Sequence, residues 1–552
     1  MTPHYLNDTY AVTSQLSVKD IVEAARQGFR GIICARPDGE EAGQPDIETL
    51  EKAAMAASVT FEAVPVKFGS LPNQTDIDRT KVMLKGVDGP VLGYCRTGNR
   101  AAQLWALAMA GTLSADQILL AGQKAGFNFS PLSTQLQKTS TTPNTSQHFD
   151  VVIIGGGAGG LSAASGVLQR RKGTSVAVIE PSENHFYQPG WTLVGGGVFT
   201  PEHTRRSEAS VMPKGVEWIK AAAELISPEE QTVVLSNGQR LSYRVLIIAT
   251  GIVLNWDAIE GLPETLGRNG VTSNYRYDLA PYTWQLVQSM TSGDAIFTQP
   301  AMPIKCAGAP QKAMYLACDA WRKKGVLDRI NVEFDNVGGV LFGVADFVPA
   351  LMEYVHTYGI KLQFSSQLVA VNGDQHVATF ERKTPTGTER VQRSFNMLHV
   401  VPPQSAPSFI RESGLGDAAG YVAVDPTTLR HTTYSNIFAL GDSAGTSNAK
   451  TAAAVRKQAP VVALNAVAAL NGKPPVAGYD GYGGCPLTVE NGKIVLAEFA
   501  YGGKLKPSLP TWLLDGKRPS RLAWYMKKDL MPWLYWEMLK GREIMVTPEK
   551  VS

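Results

Sequence analysis

Short apolar runs alternate with amphipathic stretches along nearly the whole chain. Within residues 1–135 the runs Gly31-Ile-Ile-Cys34, Phe61-Glu-Ala-Val-Pro-Val66 and Pro90-Val-Leu-Gly-Tyr94 read as buried strands. Between them, Val18-Lys-Asp-Ile-Val-Glu-Ala-Ala25 and Thr49-Leu-Glu-Lys-Ala-Ala-Met-Ala-Ala57 repeat apolar residues at helical spacing. Strands alternating with helices predict a small parallel α/β sheet. The stretch Lys138-Thr-Ser-Thr-Thr-Pro-Asn-Thr-Ser-Gln147 is almost devoid of apolar residues and predicts a linker, spanning 136–147. A second α/β pattern starts at Phe149 and fills a domain over 148–507, followed by an aromatic-rich tail over 508–545. No internal repeat is evident.

Bulk composition narrows the class. At 552 residues the chain exceeds what one core fills, so two or three domains are expected. A net charge of +3 gives no reason to expect nucleic acid as a partner. Five cysteines (Cys34, Cys95, Cys306, Cys318, Cys485) are too scattered for a disulfide scaffold and read as reduced thiols with separate jobs. No CxxC pair or Cys/His cluster suggests a metal site. The opening MTPHYLNDTYAVTSQ lacks a basic region followed by an apolar run, so no signal peptide is expected. Nor does any uncharged apolar run reach the roughly 18 residues of a bilayer-spanning helix.

The second domain opens with a nucleotide-binding pattern, Asp150-Val-Val-Ile-Ile-Gly155-Gly-Gly157-Ala158-Gly-Gly160. In a strand, GxGxxG turn and helix, Gly155 permits the tight turn and Gly157 lets a pyrophosphate approach the backbone. Gly160 packs helix on strand, and Ala158 opens the helix whose free N–H groups favour anions. Ser175-Val-Ala-Val-Ile-Glu180 supplies the second strand and an acid suited to a ribose. Two later strands end in Thr250-Gly251 and in Gly441-Asp442, the latter followed by a helical pattern from Lys450 to Gln458. Together these resemble the two-dinucleotide-domain flavoprotein disulfide reductase superfamily. The resemblance implies FAD, with Asp442 gripping the ribityl chain and a helix N-terminus facing the pyrimidine end of the flavin. Lys450 either adds positive charge there or is a solvated lysine near a helix start. The middle segment Ile330-Asn-Val-Glu-Phe-Asp-Asn-Val-Gly338-Gly339-Val-Leu-Phe342-Gly343 has lost the GxGxxG spacing, so no nicotinamide cofactor is expected there. The reductant should come from elsewhere.

Two cysteines sit in matching contexts, Pro303-Ile-Lys305-Cys306-Ala-Gly-Ala-Pro-Gln-Lys312 and Tyr482-Gly-Gly-Cys485-Pro-Leu. A thiolate is the reactive form in sulfur exchange, and Lys305 beside Cys306 favours it. With Glu180-Pro-Ser-Glu-Asn-His-Phe-Tyr-Gln-Pro-Gly-Trp191 and Met397-Leu-His-Val-Val-Pro-Pro403, these segments resemble sulfide:quinone oxidoreductases over about residues 148–540. The resemblance is to the two-cysteine subgroup that includes the mitochondrial enzyme, and the absence of a cysteine between Cys95 and Cys306 supports it. The resemblance implies that Cys306 and Cys485 approach over the flavin, joined as a disulfide or through a bridging sulfur. Hydrosulfide opens the bridge and leaves a persulfide on Cys485. Resolving the bridge passes two electrons to FAD and on to ubiquinone or menaquinone. Glutathione, sulfite or cyanide takes the persulfide sulfur. Cys318, on a helix after Cys306, reads as a packing residue.

The tail carries four of the ten tryptophans, Trp512, Trp524, Trp533 and Trp536, mixed with Lys and Arg. Such a mixture suits either an amphipathic helix at the lipid boundary or a helix pair capping the domain. On the first reading the protein is peripheral, on the cytoplasmic face of a bacterial inner membrane, with Phe499 and Tyr501 as candidates for the quinone pocket. It is also a candidate homo-oligomer. At the other end of the chain, Cys95-Arg-Thr-Gly-Asn-Arg100 follows a strand and precedes a helix, a loop able to aim N–H groups at a thiolate or anion. Its Cys-x4-Arg spacing is that of rhodanese-type sulfurtransferases, where phosphatase loops have Cys-x5-Arg. With Gln15-Leu-Ser and Arg36-Pro-Asp-Gly-Glu40, the domain resembles a phosphatase-like, beta-lactamase-hydrolase-like family. Cys95 is expected to accept or transfer sulfane sulfur, with a phosphatase as the rival. For the whole chain the rivals are an NADH:quinone dehydrogenase and a flavin-binding sulfide sensor without turnover.

Overall fold

The computed structural model describes residues 1–133, 135–136 and 147–551, so most of the expected linker lies outside the described residues. The chain divides into two compact units, residues 1–146 with 234–240, and residues 147–233 with 241–552.

In the first unit a five-stranded sheet runs in the order His4–Asn7, Tyr10–Thr13, Val91–Tyr94, Gly31–Cys34, Thr60–Ala63. The three strands expected from apolar runs form its parallel part. The chain starts with an antiparallel hairpin whose second strand joins the sheet in parallel beside Val91–Tyr94. That hairpin is not evident in the sequence because its first strand leaves His4 and Tyr5 exposed. Helices Val18–Arg26, Ile47–Ala56, Gln74–Gly86, Asn99–Met109 and Ala115–Lys124 flank the sheet. The first begins where Ser17 and Asp20 cap one another's backbone N–H groups. Tyr10 and Trp105, both 1% exposed, stack with centroids 6.2 Å apart and anchor the core.

The second unit holds two mostly parallel sheets, each continued by strand-turn-helix connections, as in tandem Rossmann-like folds. One has seven strands: Gln147–Ile154 lies between Val176–Ile179 and Arg240–Ile248, and Ile437–Ala439 also pairs with Arg240–Ile248. The other has five parallel strands, in the order Val271–Thr272, Met397–His399, Gly293–Gln299, Ile330–Asn336, Lys361–Phe364. Helix Ala309–Lys324 follows the strand Gly293–Gln299, and an antiparallel hairpin, Gly483–Glu490 with Lys493–Phe499, packs against that helix. In the degenerate middle turn, Phe342 is buried with its ring against Phe347 and Phe499. A core aromatic thus occupies the turn where the glycine spacing is lost.

The tail packs in part on the domain and leaves other side chains exposed. It forms helical segments Arg521–Tyr525, Met526–Leu530 and Met531–Leu539, the middle one a π turn. Trp524 and Trp536 are buried, whereas Trp512 is 85% and Trp533 49% exposed. Tyr535, Trp536, Met538 and Leu539 join the core around the strand carrying Val151 and Ile153. Hydrogen bonds from Ser165 Oγ to the Leu539 carbonyl (2.6 Å) and from Gln169 Nε2 to the Lys540 carbonyl (2.8 Å) fix the last turn. Among the described residues no helix is long and apolar enough to cross a membrane.

Candidate active site

The glycine turn at Gly155 has the geometry that an anion cradle needs. Gly155 has φ +105°, and a Cβ there would lie 2.4 Å from the Ala249 carbonyl. One on Gly160 would lie 1.8 Å from the Gly155 carbonyl, so neither position admits a side chain. Gly157 faces open space, and it precedes helix Ala158–Arg170 with no side-chain cap on the first N–H groups. Glu180 sits beside the turn, accepting from Gly156 N and Ser182 N, each at 2.8 Å, and burial raises its carboxyl above the ordinary range. Three buried polar atoms around the cradle lack a partner among the described residues: Ser162 Oγ, Thr250 Oγ1 and Glu208 Oε1. Thr250 and Gly251 follow the strand Arg240–Ile248, with Gly251 at φ +76°. An open glycine, uncapped N–H groups and orphaned polar atoms fit a dinucleotide.

Gly441 and Asp442 make the turn after Ile437–Ala439, and Gly441 N donates to Gln458 Oε1 at 2.8 Å. Helix Ala452–Leu470, capped by Thr451, extends well beyond the expected Gln458. Lys450 is neither solvated nor free. Its Nζ donates to the carbonyls of Asp442 (2.7 Å) and Ala444 (3.1 Å), and burial lowers its pKa. It braces the turn that carries Asp442, whose carboxyl burial raises.

Cys306 and Cys485 come together, with their sulfurs 3.9 Å apart. Cys306 ends the loop before helix Ala309–Lys324 and Cys485 lies in the strand Gly483–Glu490. Gly308 makes the approach possible, since a Cβ there would lie 2.5 Å from Cys485 Sγ and 2.4 Å from Leu487 Cδ2. Cys306 adopts a left-handed φ of +50°, rare for a side-chain-bearing residue. Its N–H donates to the Lys450 carbonyl at 2.8 Å, and its carbonyl accepts from Ala309 N at 2.8 Å and Tyr275 Oη at 3.2 Å. The cysteine loop and the Asp442 turn are therefore joined through Lys450, whose carbonyl accepts from Cys306 and whose ammonium donates to the Asp442 carbonyl.

The thiol pair is electrically asymmetric. A hydrogen bond from Cys485, reinforced by Lys312, holds Cys306 well below the ordinary thiol range. The same bond and burial push Cys485 up. The pair favours a thiolate at Cys306 facing a thiol at Cys485. The lysine touching the thiolate is Lys312, buried, with Nζ 3.1 Å from Cys306 Sγ. Lys305, expected in that role from its adjacency, points away: its Nζ donates to Gln188 Oε1 at 2.8 Å and lies 5.4 Å from the Trp191 ring centroid. Burial lowers Lys305 to about 8. A further buried cation, Lys527 of the tail, donates to the Pro189 carbonyl at 3.1 Å and is lowered to about 7 by burial and by Lys312. Cys318 is fully buried and its thiol is pushed up by burial. Phe499 packs on Phe342 and Tyr501 on Tyr479, in two different clusters.

In the first unit Cys95 is 1% exposed, at the end of Val91–Tyr94. Arg100 lies in the first turn of Asn99–Met109, after Gly98 at φ +88°. Its guanidinium grips Glu40 bidentately, both contacts at 2.7 Å, and also donates to the Val66 carbonyl at 2.6 Å. Arg36 joins Glu40 at 3.0 Å and Gln15 at 2.7 Å, so the motif residues Gln15, Arg36, Glu40 and Arg100 form one network. Arg100 and Arg36 hold the Glu40 carboxyl down at about 2.

The chain is similar to known proteins over both units. Residues 149–468 match the family model for pyridine nucleotide-disulphide oxidoreductases. Residues 4–112 match that for the phosphatase-like domain of beta-lactamase hydrolase-like proteins. The mitochondrial sulfide:quinone oxidoreductase of Dictyostelium discoideum is 42% identical over 396 residues, covering 71% of this chain and 86% of that one. The mouse mitochondrial enzyme is 38% identical, covering 76% and 91%. The solved sulfide:quinone oxidoreductase of Aquifex aeolicus, at 20% identity and a TM-score of 0.61, shares the fold over 74% of this chain and 97% of that one. The chain belongs to the sulfide:quinone oxidoreductase family of pyridine nucleotide-disulphide oxidoreductases, joined to an N-terminal phosphatase-like domain.

Proposed function

We propose that the protein oxidises hydrogen sulfide to sulfane sulfur at Cys306 and Cys485, with FAD as cofactor and a membrane quinone, ubiquinone or menaquinone, as final acceptor of two electrons. The observation that carries this reading is the pair of sulfurs 3.9 Å apart with Lys312 at 3.1 Å from one of them. Two S–S bonds of about 2.05 Å, bent at the central sulfur, span about 3.3 Å, so a small approach seats one bridging sulfur and a larger one closes a direct disulfide. Hydrosulfide attacks the bridge at the Cys485 sulfur, forming a persulfide there and releasing Cys306 as a thiolate. Lys312 stabilises that leaving thiolate by charge and hydrogen bond. The bound flavin supplies the two-electron acceptor. Once a soluble acceptor has taken the outer persulfide sulfur, the two thiols re-join as a disulfide, and the two electrons and two protons released pass to quinone, giving quinol.

Gly155, Gly157, Ala158, Gly160, Glu180, Thr250, Gly251, Gly441 and Asp442 are the residues we assign to FAD, with Lys450 as a brace. The likeness to the named relatives, the cradle at Gly157 and the orphaned Thr250 and Ser162 hydroxyls support that assignment. The exposed apolar side chains Trp512, Leu513, Leu522, Tyr525, Leu530 and Trp533 support peripheral docking on a membrane surface. Cys95, in a loop before a helix N-terminus, is assigned as the acceptor of sulfane sulfur, and glutathione, sulfite or cyanide as soluble acceptors.

An anaerobic titration with sulfide tests the reading. Sulfide bleaches the flavin band of the wild type, a short-chain quinone restores it, and Cys306→Ser and Cys485→Ser remain unbleached. Bleaching by NADH and not by sulfide refutes it.

A further inference from the structure

Glu208 begins the short helix Glu208–Val211 and is 1% exposed. One carboxylate oxygen, Oε2, lies 3.2 Å from His185 Nδ1, and the other ring nitrogen, Nε2, lies 2.8 Å from the Tyr535 hydroxyl. A carboxylate only accepts, so Nδ1 carries a proton toward Glu208, and the Tyr535 hydroxyl contacts both Nε2 and the Phe186 carbonyl (3.3 Å). The second carboxylate oxygen, Oε1, is buried without a partner. It points at the dinucleotide turn: a Cβ built on Gly156 would lie 2.6 Å from Glu208 Oε1 and 2.7 Å from Glu180 Cγ. Both acids therefore flank the same glycine. Glu180 already spends each oxygen on a backbone N–H, Gly156 on one and Ser182 on the other. Glu208 Oε1 is the acceptor left over, and a buried carboxylate oxygen facing nothing is costly.

We propose that Glu208 is a second ribose-binding carboxylate, which takes a hydroxyl of the adenosine ribose beside Glu180 and is aimed by His185 and Tyr535. The proposal rests on the FAD reading above. A vicinal diol brings two donors, one for each acid. Tyr535 belongs to the tail helix Met531–Leu539, which is also tied to the dinucleotide helix Ala158–Arg170 through Leu539 and Lys540. Arg170, at the far end of that helix, pairs with Glu543 at 2.6 Å. The C-terminal segment thereby sets the position of a cofactor contact near the start of the domain.

The test uses the holoenzyme, exchanged to equilibrium with an equimolar mixture of FAD and an analogue lacking both adenosine ribose hydroxyls, with bound flavin quantified by chromatography. The wild type prefers FAD. Glu208→Gln, which presents an amide donor to the diol or to His185, reduces that preference about tenfold, the value of a hydrogen bond to a charged group. Tyr535→Phe, which removes only the partner of His185, reduces it by a smaller factor at unchanged secondary structure. A merely structural role for either residue lowers the melting temperature and leaves the preference intact, and that outcome overturns the proposal. Should Glu208→Gln fail to fold, an unchanged preference in Tyr535→Phe overturns it alone. Wild-type protein that carries no flavin refutes the FAD reading instead.

Discussion

The ammonium group of Lys312 donates to the sulfur of Cys306 at 3.1 Å, with Lys312 buried and Cys306 half-buried beside the core. Helix Ala309–Lys324 makes this contact: its first turn presents Lys312 back toward the loop from which the helix emerges. In such surroundings a cation is worth more than at the surface, because little water screens it.

Lys312→Met should therefore return Cys306 toward the ordinary thiol range. Each pKa unit is about tenfold in thiolate population when the pH lies below the pKa. Alkylation of the reduced wild type by iodoacetamide should be nearly flat with pH through neutrality. In the variant it should be slower by about tenfold at pH 7 and rise with pH.

Gly308→Ala puts a methyl group where Cys485 Sγ and Leu487 Cδ2 already stand. Overpacking of this kind costs about 1–3 kcal/mol. The variant should fold with a lowered melting temperature, and sulfide should reduce its flavin far more slowly, because the strand carrying Cys485 is pushed from Cys306.

Lys527 is lowered to about 7 against an ordinary 10.5. Between those values the unfolded chain binds a proton that the folded chain does not, so stability rises with pH across that window. Below pH 7 the whole penalty of a buried ammonium is present. Lys527→Met should accordingly raise the melting temperature, more at pH 6.5 than at pH 9. A larger gain at pH 9 would contradict the assignment.

The tryptophans of the tail should separate by burial. Trp536→Ala should destabilise by about 3–5 kcal/mol, as for other core aromatics. Trp512→Ala and Trp533→Ala together should change stability by no more than about 0.5 kcal/mol and weaken co-sedimentation with liposomes. Equal liposome binding by wild type and double variant would remove these side chains from the docking surface.

Local patterns carried much of this architecture in the sequence. Gly155 and Gly160 are legible because each meets a backbone that admits no Cβ, and Cys306 and Cys485 because both sit in distinctive flanks. Lys312 was within the same motif, yet adjacency favoured Lys305. Only the direction of the helix after Gly308 shows which lysine turns back. Lys527 and Tyr535 reach Pro189 and His185 from far along the chain, and no periodicity encodes such a contact. The tail was ambiguous for a different reason: an apolar face looks the same whether protein or lipid covers it. The leading hairpin was missed because half of its first strand faces solvent.

The separation along the chain between Cys306 and the groups that acidify it also has a consequence in time. Those groups come from three separated stretches: Lys312 close by, and Cys485 and Lys527 far along the chain. A nascent or partly unfolded chain therefore holds an ordinary thiol, slow to react with oxidants. The hazard of a reactive sulfur arises only once the fold that controls it is complete.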